Sequence, residues 1–297
     1  MKLLLNIGHC YASTTSLFYT LAFNHHYCHT GDNKENSYLW QTYLESRNSM
    51  KYIKMALRHY KTQKQYLKTQ NIRISKRYYK IQKKHINTQI YWRNQKYRND
   101  VQTNLGYIFK RPFNIENYCN YYKKVYGMVK DDFKSVGDFS TATCGISEEF
   151  LWQIKPILLK HFDIKITMTF RDPIRRFWSH HGDINADISS HDKYAENYQK
   201  FSNVFGKENV HYIIVEDLWS GETSEISRFL NYDIRHLGEN MYWPLSDNTK
   251  KHEFLKDQWG KEKKLPENLI PKIRQKLDPL YLQYEQIIGR LPERWIV

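Results

Sequence analysis

Two short stretches of this sequence carry the groups that anion chemistry needs. In the first, an apolar run Leu3-Leu4-Leu5-Asn6-Ile7 meets Gly8, and Ser13-Thr14-Thr15-Ser16 then leads into Leu17, Phe18 and Leu21 at helical spacing. A buried strand, a tight loop and a helix in that order offer backbone N–H groups, hydroxyls and a helix dipole to a phosphate. The spacing from Gly8 to Thr15 equals that of the nucleotide-binding loop G-x-x-x-x-G-K-[ST]. Ser13 stands where that loop has its second glycine and Thr14 where it has its lysine. Losing the lysine argues against ATP or GTP hydrolysis and leaves an anion site of amides and hydroxyls. An ordinary strand-turn-helix with a Ser/Thr cap accounts for the same residues.

The second stretch runs Phe170-Arg171-Asp172-Pro173-Ile174-Arg175-Arg176-Phe177-Trp178-Ser179-His180-His181. An arginine at a strand end, a turn, and a helix bearing a serine place donors at the carboxyl edge of a sheet, where open α/β folds bind ligands. Arg171 can grip a phosphate through two parallel N–H bonds, and Ser179 can add a hydroxyl. The competing reading pairs Arg171 with Asp172 or with a surface acid.

The elements that must position these groups alternate between strand and helix. Tyr27 to Thr30, Phe133 to Phe139, Lys165 to Phe170 and Val210 to Val215 read as strands. Glu148 to His161 reads as a helix bent or interrupted around Pro156. Ile174 to His181, Tyr194 to Phe205, Glu222 to Leu230 and Pro271 to Ile288 read as further helices. Such alternation predicts an α/β fold with a parallel sheet covered on both faces. Between Gly31 and Gly106 there is no glycine, and none of the 8 prolines precedes Pro112, which suits long helices. Met50, Ile53, Leu57 and Tyr60 follow the spacing of an amphipathic one.

At 297 residues the chain can bury a large core. Its 46 Lys and Arg against 31 Asp and Glu leave a net charge of +15, which favours anionic partners. Residues 51–100 hold fifteen of the basic side chains and one acid, Asp100, so nearly all of the excess sits there. Tyrosines interleave with it (Tyr52, Tyr60, Tyr66, Tyr78, Tyr79, Tyr91, Tyr97), a mixture able to stack on bases or sugars. Cys10, Cys28, Cys119 and Cys144 show no C-x-x-C pairing, which fits a reduced, cytoplasmic setting. No apolar run approaches the roughly 20 residues of a membrane span, and the Leu3–Ile7 run is too short for an export signal.

Together these stretches resemble the sulfotransferases that use 3′-phosphoadenosine 5′-phosphosulfate. Their loop I-G-x-x-K-x-G-T-T-x-L is matched by Ile7-Gly8-His9-Cys10-Tyr11-Ala12-Ser13-Thr14-Thr15-Ser16-Leu17, and their R-[DN]-P-x-x-R-x-x-S-x-[YH] segment by Arg171, Asp172, Pro173, Arg176, Ser179 and His181. Val215-Glu216-Asp217-Leu218 is similar to the family's strand "E-D-L", with Phe229-Leu230 like its later helix. Asp138-Phe139-Ser140 is similar to a strand end bearing an acid near the acceptor. The resemblance covers the start of the chain and residues 135–235. It implies a single α/β/α P-loop-like domain over 1–297 with a central, mostly parallel sheet and a large, strongly basic helical insertion at 34–132.

The same resemblance implies that Gly8, Tyr11, Ala12, Ser13, Thr14, Thr15 and Ser16 hold the 5′-phosphosulfate of the donor and that Arg171 and Ser179 hold its 3′-phosphate. Asp138 is then the first candidate for the base that takes the acceptor proton, and His181 or His180 the second. No metal is required. Tyr11 stands where the family has a lysine at the bridging oxygen. A phenol there donates one hydrogen bond and brings no positive charge, and Ser13 replaces a glycine that admits the ligand closely.

The implied acceptor is a small molecule or a glycan, anionic if residues 51–100 recruit it. Two other readings stand beside this one. A catalytically inactive sulfotransferase-like protein that binds nucleotide or glycan is supported by Tyr11. A nucleic-acid-binding protein is supported by the basic segment, although no named nucleic-acid motif is present. His9, Cys10, His25, His26, Cys28 and His29 fit no zinc spacing.

Overall fold

A computed structural model describes residues 1–8, 12, 14–31, 38–46, 114–187, 193–234, 255–256, 262–263 and 265–295. His9, Cys10, Tyr11, Ser13 and the expected helix and basic segment from Met50 to Asp100 lie outside the described residues.

The apolar N-terminal run is β1 (Lys2–Asn6), buried from Leu3 onward. Thr14–Phe18 forms α1, and the chain widens without a break into a π-helix over Tyr19–Asn24. β2 (Cys28–His29) and α2 (Tyr38–Ser46) follow. Next comes α3 (Ile115–Val129), capped by Asn114, whose side chain accepts from the Asn117 N–H at 2.8 Å. β3 (Ser135–Asp138) ends at the acid marked in the sequence.

α4 (Glu148–His161) has Ser147 as its N-cap, Glu148 and Glu149 in its first turn and Lys160 and His161 in its last, in accord with its dipole. It runs as one helix through Pro156, around which the sequence allowed a bend or an interruption, and no interruption occurs. Pro156 lies on the exposed face, so water can take the carbonyl that loses its helical partner.

β4 (Asp163–Phe170), α5 (Pro173–His180), α6 (Tyr194–Phe205) and β5 (Val210–Ile214) follow the expected order. The Glu216-Asp217-Leu218 triplet departs from expectation, because it lies on a short helix, α7 (Val215–Ser220), and not on a strand. The two acids fall in the first turn of α7, where the dipole favours them. α8 is Ser224–Leu230, two residues shorter than read. A small antiparallel pair, β6 (Leu255–Lys256) with β7 (Glu262–Lys263), precedes α9 (Ile270–Ile288).

The central sheet is parallel in the order β2-β3-β1-β4-β5. Leu5 stands opposite Asp138, and Ile166 to Phe170 run opposite Val210 to Ile214. From β1 the chain goes to the edge strand β2, returns to β3 beside β1, and then passes to β4 and β5 on the other side of β1. Among the described residues no helix is long and apolar enough to cross a membrane.

By contacts the chain divides into two compact units, Met1–Leu5 with His26–Ile164, and Asn6–His25 with Lys165–Val297. The core of the first is rich in tyrosine: Tyr118 and Tyr121 both pack edge-on to Tyr122, with ring centroids 4.9 and 5.0 Å away. In the second, Phe170 is fully buried and packs edge-on to Tyr284 and Tyr194 at 4.8 and 5.5 Å.

Gly8 is the residue that lets α1 close down on β4. A Cβ there would lie 2.2 Å from Thr169 Oγ1, 2.9 Å from Thr14 Cγ2 and 3.0 Å from the Thr169 backbone nitrogen. Gly8→Ala is therefore expected to cost about 1–3 kcal/mol by overpacking, read from chemical denaturation, and a variant as stable as the parent would contradict this geometry.

Candidate functional site

The corner where β4 turns into α5 explains itself residue by residue. Pro173 has no N–H for the strand ladder and a backbone angle suited to a first helical turn, so the strand stops and a helix starts. Asp172 caps that helix: its Oδ1 accepts from the N–H groups of Ile174 at 2.8 Å and Arg175 at 3.4 Å. The same oxygen accepts from the Tyr281 hydroxyl of α9 at 2.8 Å, and Oδ2 lies 3.8 Å from Arg175 Nε. Asp172 is fully buried. Burial first, and then the Asp172 carboxylate, push the Tyr281 phenol far above its ordinary range.

Glu216 completes the corner. Its Oε1 accepts from the Asp172 N–H at 3.2 Å and its Oε2 from the indole of Trp295 at 3.0 Å. Arg171 lies against this network, with its guanidinium 5.3 Å from the centroid of the Trp219 ring. Burial pulls Arg171 below its ordinary value, opposed first by the charge of Glu216 and then by that of Asp172. Burial likewise pushes Glu216 upward, opposed by Arg171. Burial thus acts against the charged form of each group, and the charge of the other opposes it.

Among the acids whose charge acts on Arg171 the strongest is the buried Glu216, ahead of Asp172, and the sequence reading left Glu216 out of the site. Its signal was available in the two acids directly after the VHYII strand, at the start of a helix.

Along α5, Ser179 and Arg176 are both buried, and the Arg176 guanidinium sits 4.4 Å from the centroid of the Tyr194 ring. His180 and His181 stack on each other with centroids 4.2 Å apart. His181 also packs on Phe177 at 5.1 Å, while its backbone N–H closes the helix on the Phe177 carbonyl.

The loop side of the site belongs to the same unit. The Ile7 N–H donates to the Thr167 carbonyl at 2.9 Å, and Asn6 Nδ2 donates to Thr167 Oγ1 at 3.1 Å, so the exit of β1 is tied to β4. Thr14 and Thr169 both press on Gly8, within 3.0 Å of one point. The first turn of α1 and the strand end two residues ahead of Arg171 therefore meet. Ala12 and Thr14 are buried, and Thr15 and Ser16 belong to the first turn of α1. Tyr11 and Ser13, the remaining loop candidates, are outside the described residues.

Asp138 lies in the first unit, buried at the end of β3. Its carboxylate accepts from the Tyr118 hydroxyl at 3.1 Å, from the Ser140 N–H at 3.1 Å, and from the Ser140 hydroxyl. It thereby organises the turn that leaves the strand. Burial first, and then Asp138, raise the Tyr118 phenol well above its usual value. A cleft of about 470 Å³ in the second unit opens beside His211, Ile213, Asp217, Glu225 and Arg294, and none of the candidate site residues lines it. Among the described residues no group of three or more His, Cys, Asp or Glu is placed to hold a metal.

The sequence matches no protein-family model and no curated protein. Among solved structures the chain is similar to a sulfotransferase from Alicyclobacillus acidocaldarius, with a TM-score of 0.51 and 13% identity over 99% of this chain and 98% of that one. The fold is thus sulfotransferase-like, a mixed α/β arrangement around a five-stranded parallel sheet.

The capping role of Asp172 has a direct consequence. Asp172→Ala strips the helix cap and leaves a buried tyrosine hydroxyl unbonded, so a loss of about 2–4 kcal/mol is expected by urea denaturation. Asp172→Asn keeps an acceptor and should lose less; equal losses would show that the cap is not what holds this corner.

Proposed function

We propose that this chain is a sulfotransferase that moves a sulfuryl group from 3′-phosphoadenosine 5′-phosphosulfate to a hydroxyl or amine acceptor. The observation that carries the reading is the meeting of α1 and β4 at Gly8. It brings the hydroxyl-bearing turn and the strand end that bears Arg171 to one corner, as a donor with a phosphate at each end requires. The amides and hydroxyls from Tyr11 to Ser16 would hold the 5′-phosphosulfate, and Arg171 and Ser179 the 3′-phosphate. Fixing both ends removes much of the entropy cost of bringing the reactants together.

In the reaction the acceptor oxygen or nitrogen forms a bond to sulfur as the bond from sulfur to the 5′-phosphate oxygen breaks. 3′-Phosphoadenosine 5′-phosphate leaves, and the acceptor's proton passes to a base. The sequence resemblance nominates Asp138 for that base, with His181 next. For the acceptor, an anionic glycan recruited by residues 51–100 is the class to test first.

A second reading is favoured by one residue. Tyr11 brings no charge to the leaving phosphate, which suits a protein that binds the nucleotide without turning it over.

Calorimetric titration with 3′-phosphoadenosine 5′-phosphate tests the donor site. The parent should bind, and Arg171→Ala should bind about 30- to 1,000-fold more weakly through loss of charge-assisted bonds. A parent that does not bind would overturn the reading. Sulfate transfer from labelled donor then separates the two versions. Turnover by the parent supports the enzyme, and turnover only after Tyr11→Lys supports the binding protein.

A further inference from the structure

The C-terminal end of the chain is folded onto the strand-end corner by bonds whose purpose the fold alone does not explain. The backbone turns back through the Trp295 N–H, which donates to the Pro292 carbonyl at 3.0 Å. Arg294 reaches α7, with Nη1 3.4 Å from Asp217 Oδ1 and a hydrogen bond to the Ser220 hydroxyl. The Trp295 ring is buried edge-on to Tyr284 and Tyr281, at 5.1 and 6.0 Å between centroids. Its one polar atom, Nε1, is spent on Glu216 Oε2.

Glu216 is thereby held by both of its oxygens, one taking the indole N–H and the other the Asp172 N–H. That second bond fixes the peptide that joins Arg171 to Asp172. Tyr281 fixes the other side of Asp172 through its carboxylate. Removing the indole N–H frees one oxygen of Glu216, so the carboxylate can rotate. The peptide next to Arg171 then loses its restraint, and the guanidinium loses a fixed counter-charge.

We propose that Trp295 is a positioning residue for the nucleotide site, orienting Arg171 for a 3′-phosphate through the Trp295–Glu216–Asp172 chain of hydrogen bonds. The proposal rests on the donor reading given under Proposed function. It adds that selectivity for the 3′-phosphate is set partly by the last residues of the chain.

The test compares calorimetric affinities for 3′-phosphoadenosine 5′-phosphate and for adenosine 5′-phosphate, which lacks the 3′-phosphate. Their ratio in the parent measures recognition of that group. Trp295→Phe keeps the ring packing and deletes the N–H. It is expected to reduce the ratio about tenfold, the effect of one hydrogen bond to a charged group, while affinity for adenosine 5′-phosphate stays within about twofold.

Glu216→Gln should reduce the ratio as well, and the double variant should do no more than the larger single effect, because both act through one chain. Glu216→Gln carries the test alone if Trp295→Phe does not fold. A parent without preference for the 3′-phosphate overturns the donor reading and the inference together. A parent that has the preference and a Trp295→Phe variant that keeps it overturn the inference alone. Equal loss for both nucleotides, or additive effects in the double variant, would show Trp295 acting only on general stability and would also overturn it.

Discussion

A buried carboxylate, Glu216, bonded at both oxygens and acting electrostatically on Arg171, sets the geometry of the strand-end corner. Taking Glu216 and Arg171 out of water costs several kcal/mol per ion, and their attraction rarely returns more than that. The pair is therefore a poor source of stability and a good source of fixed direction. Glu216 is held at both oxygens, by Asp172 and Trp295, and Asp172 is held in turn by Tyr281 and by the first turn of α5. Each of these groups would be left with an unmet hydrogen bond if the corner changed shape, so one arrangement is strongly preferred.

The other half of the site depends on absence of a side chain. Gly8 permits Thr14 and Thr169 to approach the same point, and that approach sets the first turn of α1 over the end of β4. The ties from Asn6 and Ile7 to Thr167 keep β1 in register with β4 up to that point. A larger residue would lift the helix from the strand and separate the two candidate anion-binding stretches. Space thus acts on the loop side as hydrogen bonding acts on the strand-end side.

What could be read from the sequence follows the range of the interactions. Asp172-Pro173 announces a helix start within three residues, and α5 begins there because capping and the proline angle are local. The apolar strands were legible for the same reason, since VHYII and KITMTF are buried runs with clear ends. Glu216 was assigned to a strand through the resemblance of Val215-Glu216-Asp217-Leu218 to the family's segment, whereas the buried run read from the residues ended at Val215. The turn into α7 is enforced by packing. Trp295 lies seventy-nine residues from Glu216, and a lone tryptophan near a chain end has no local pattern to mark it. At Pro156 the sequence left a bend and an interruption open, and the helix is not interrupted because the exposed position makes a helical proline tolerable.

Attraction and orientation are divided between parts of the sequence. Around the corner, Arg171, Arg175 and Arg176 are set against Asp172 and Glu216, which leaves little net positive charge for a doubly charged phosphate. Such a corner aligns an anion better than it gathers one. The chain's excess of positive charge is carried by residues 51–100, with fifteen basic side chains and one acid. At physiological ionic strength charges are screened beyond about 8 Å, so steering by that segment acts on whatever comes near it and says little about how a bound group is held. On the proposed donor reading, selectivity for a phosphate comes from direction, supplied in this unit by buried groups tied to one another by hydrogen bonds. A site of this kind loses discrimination before it loses affinity when a supporting bond is cut, because the charge remains and only its aim is spoiled.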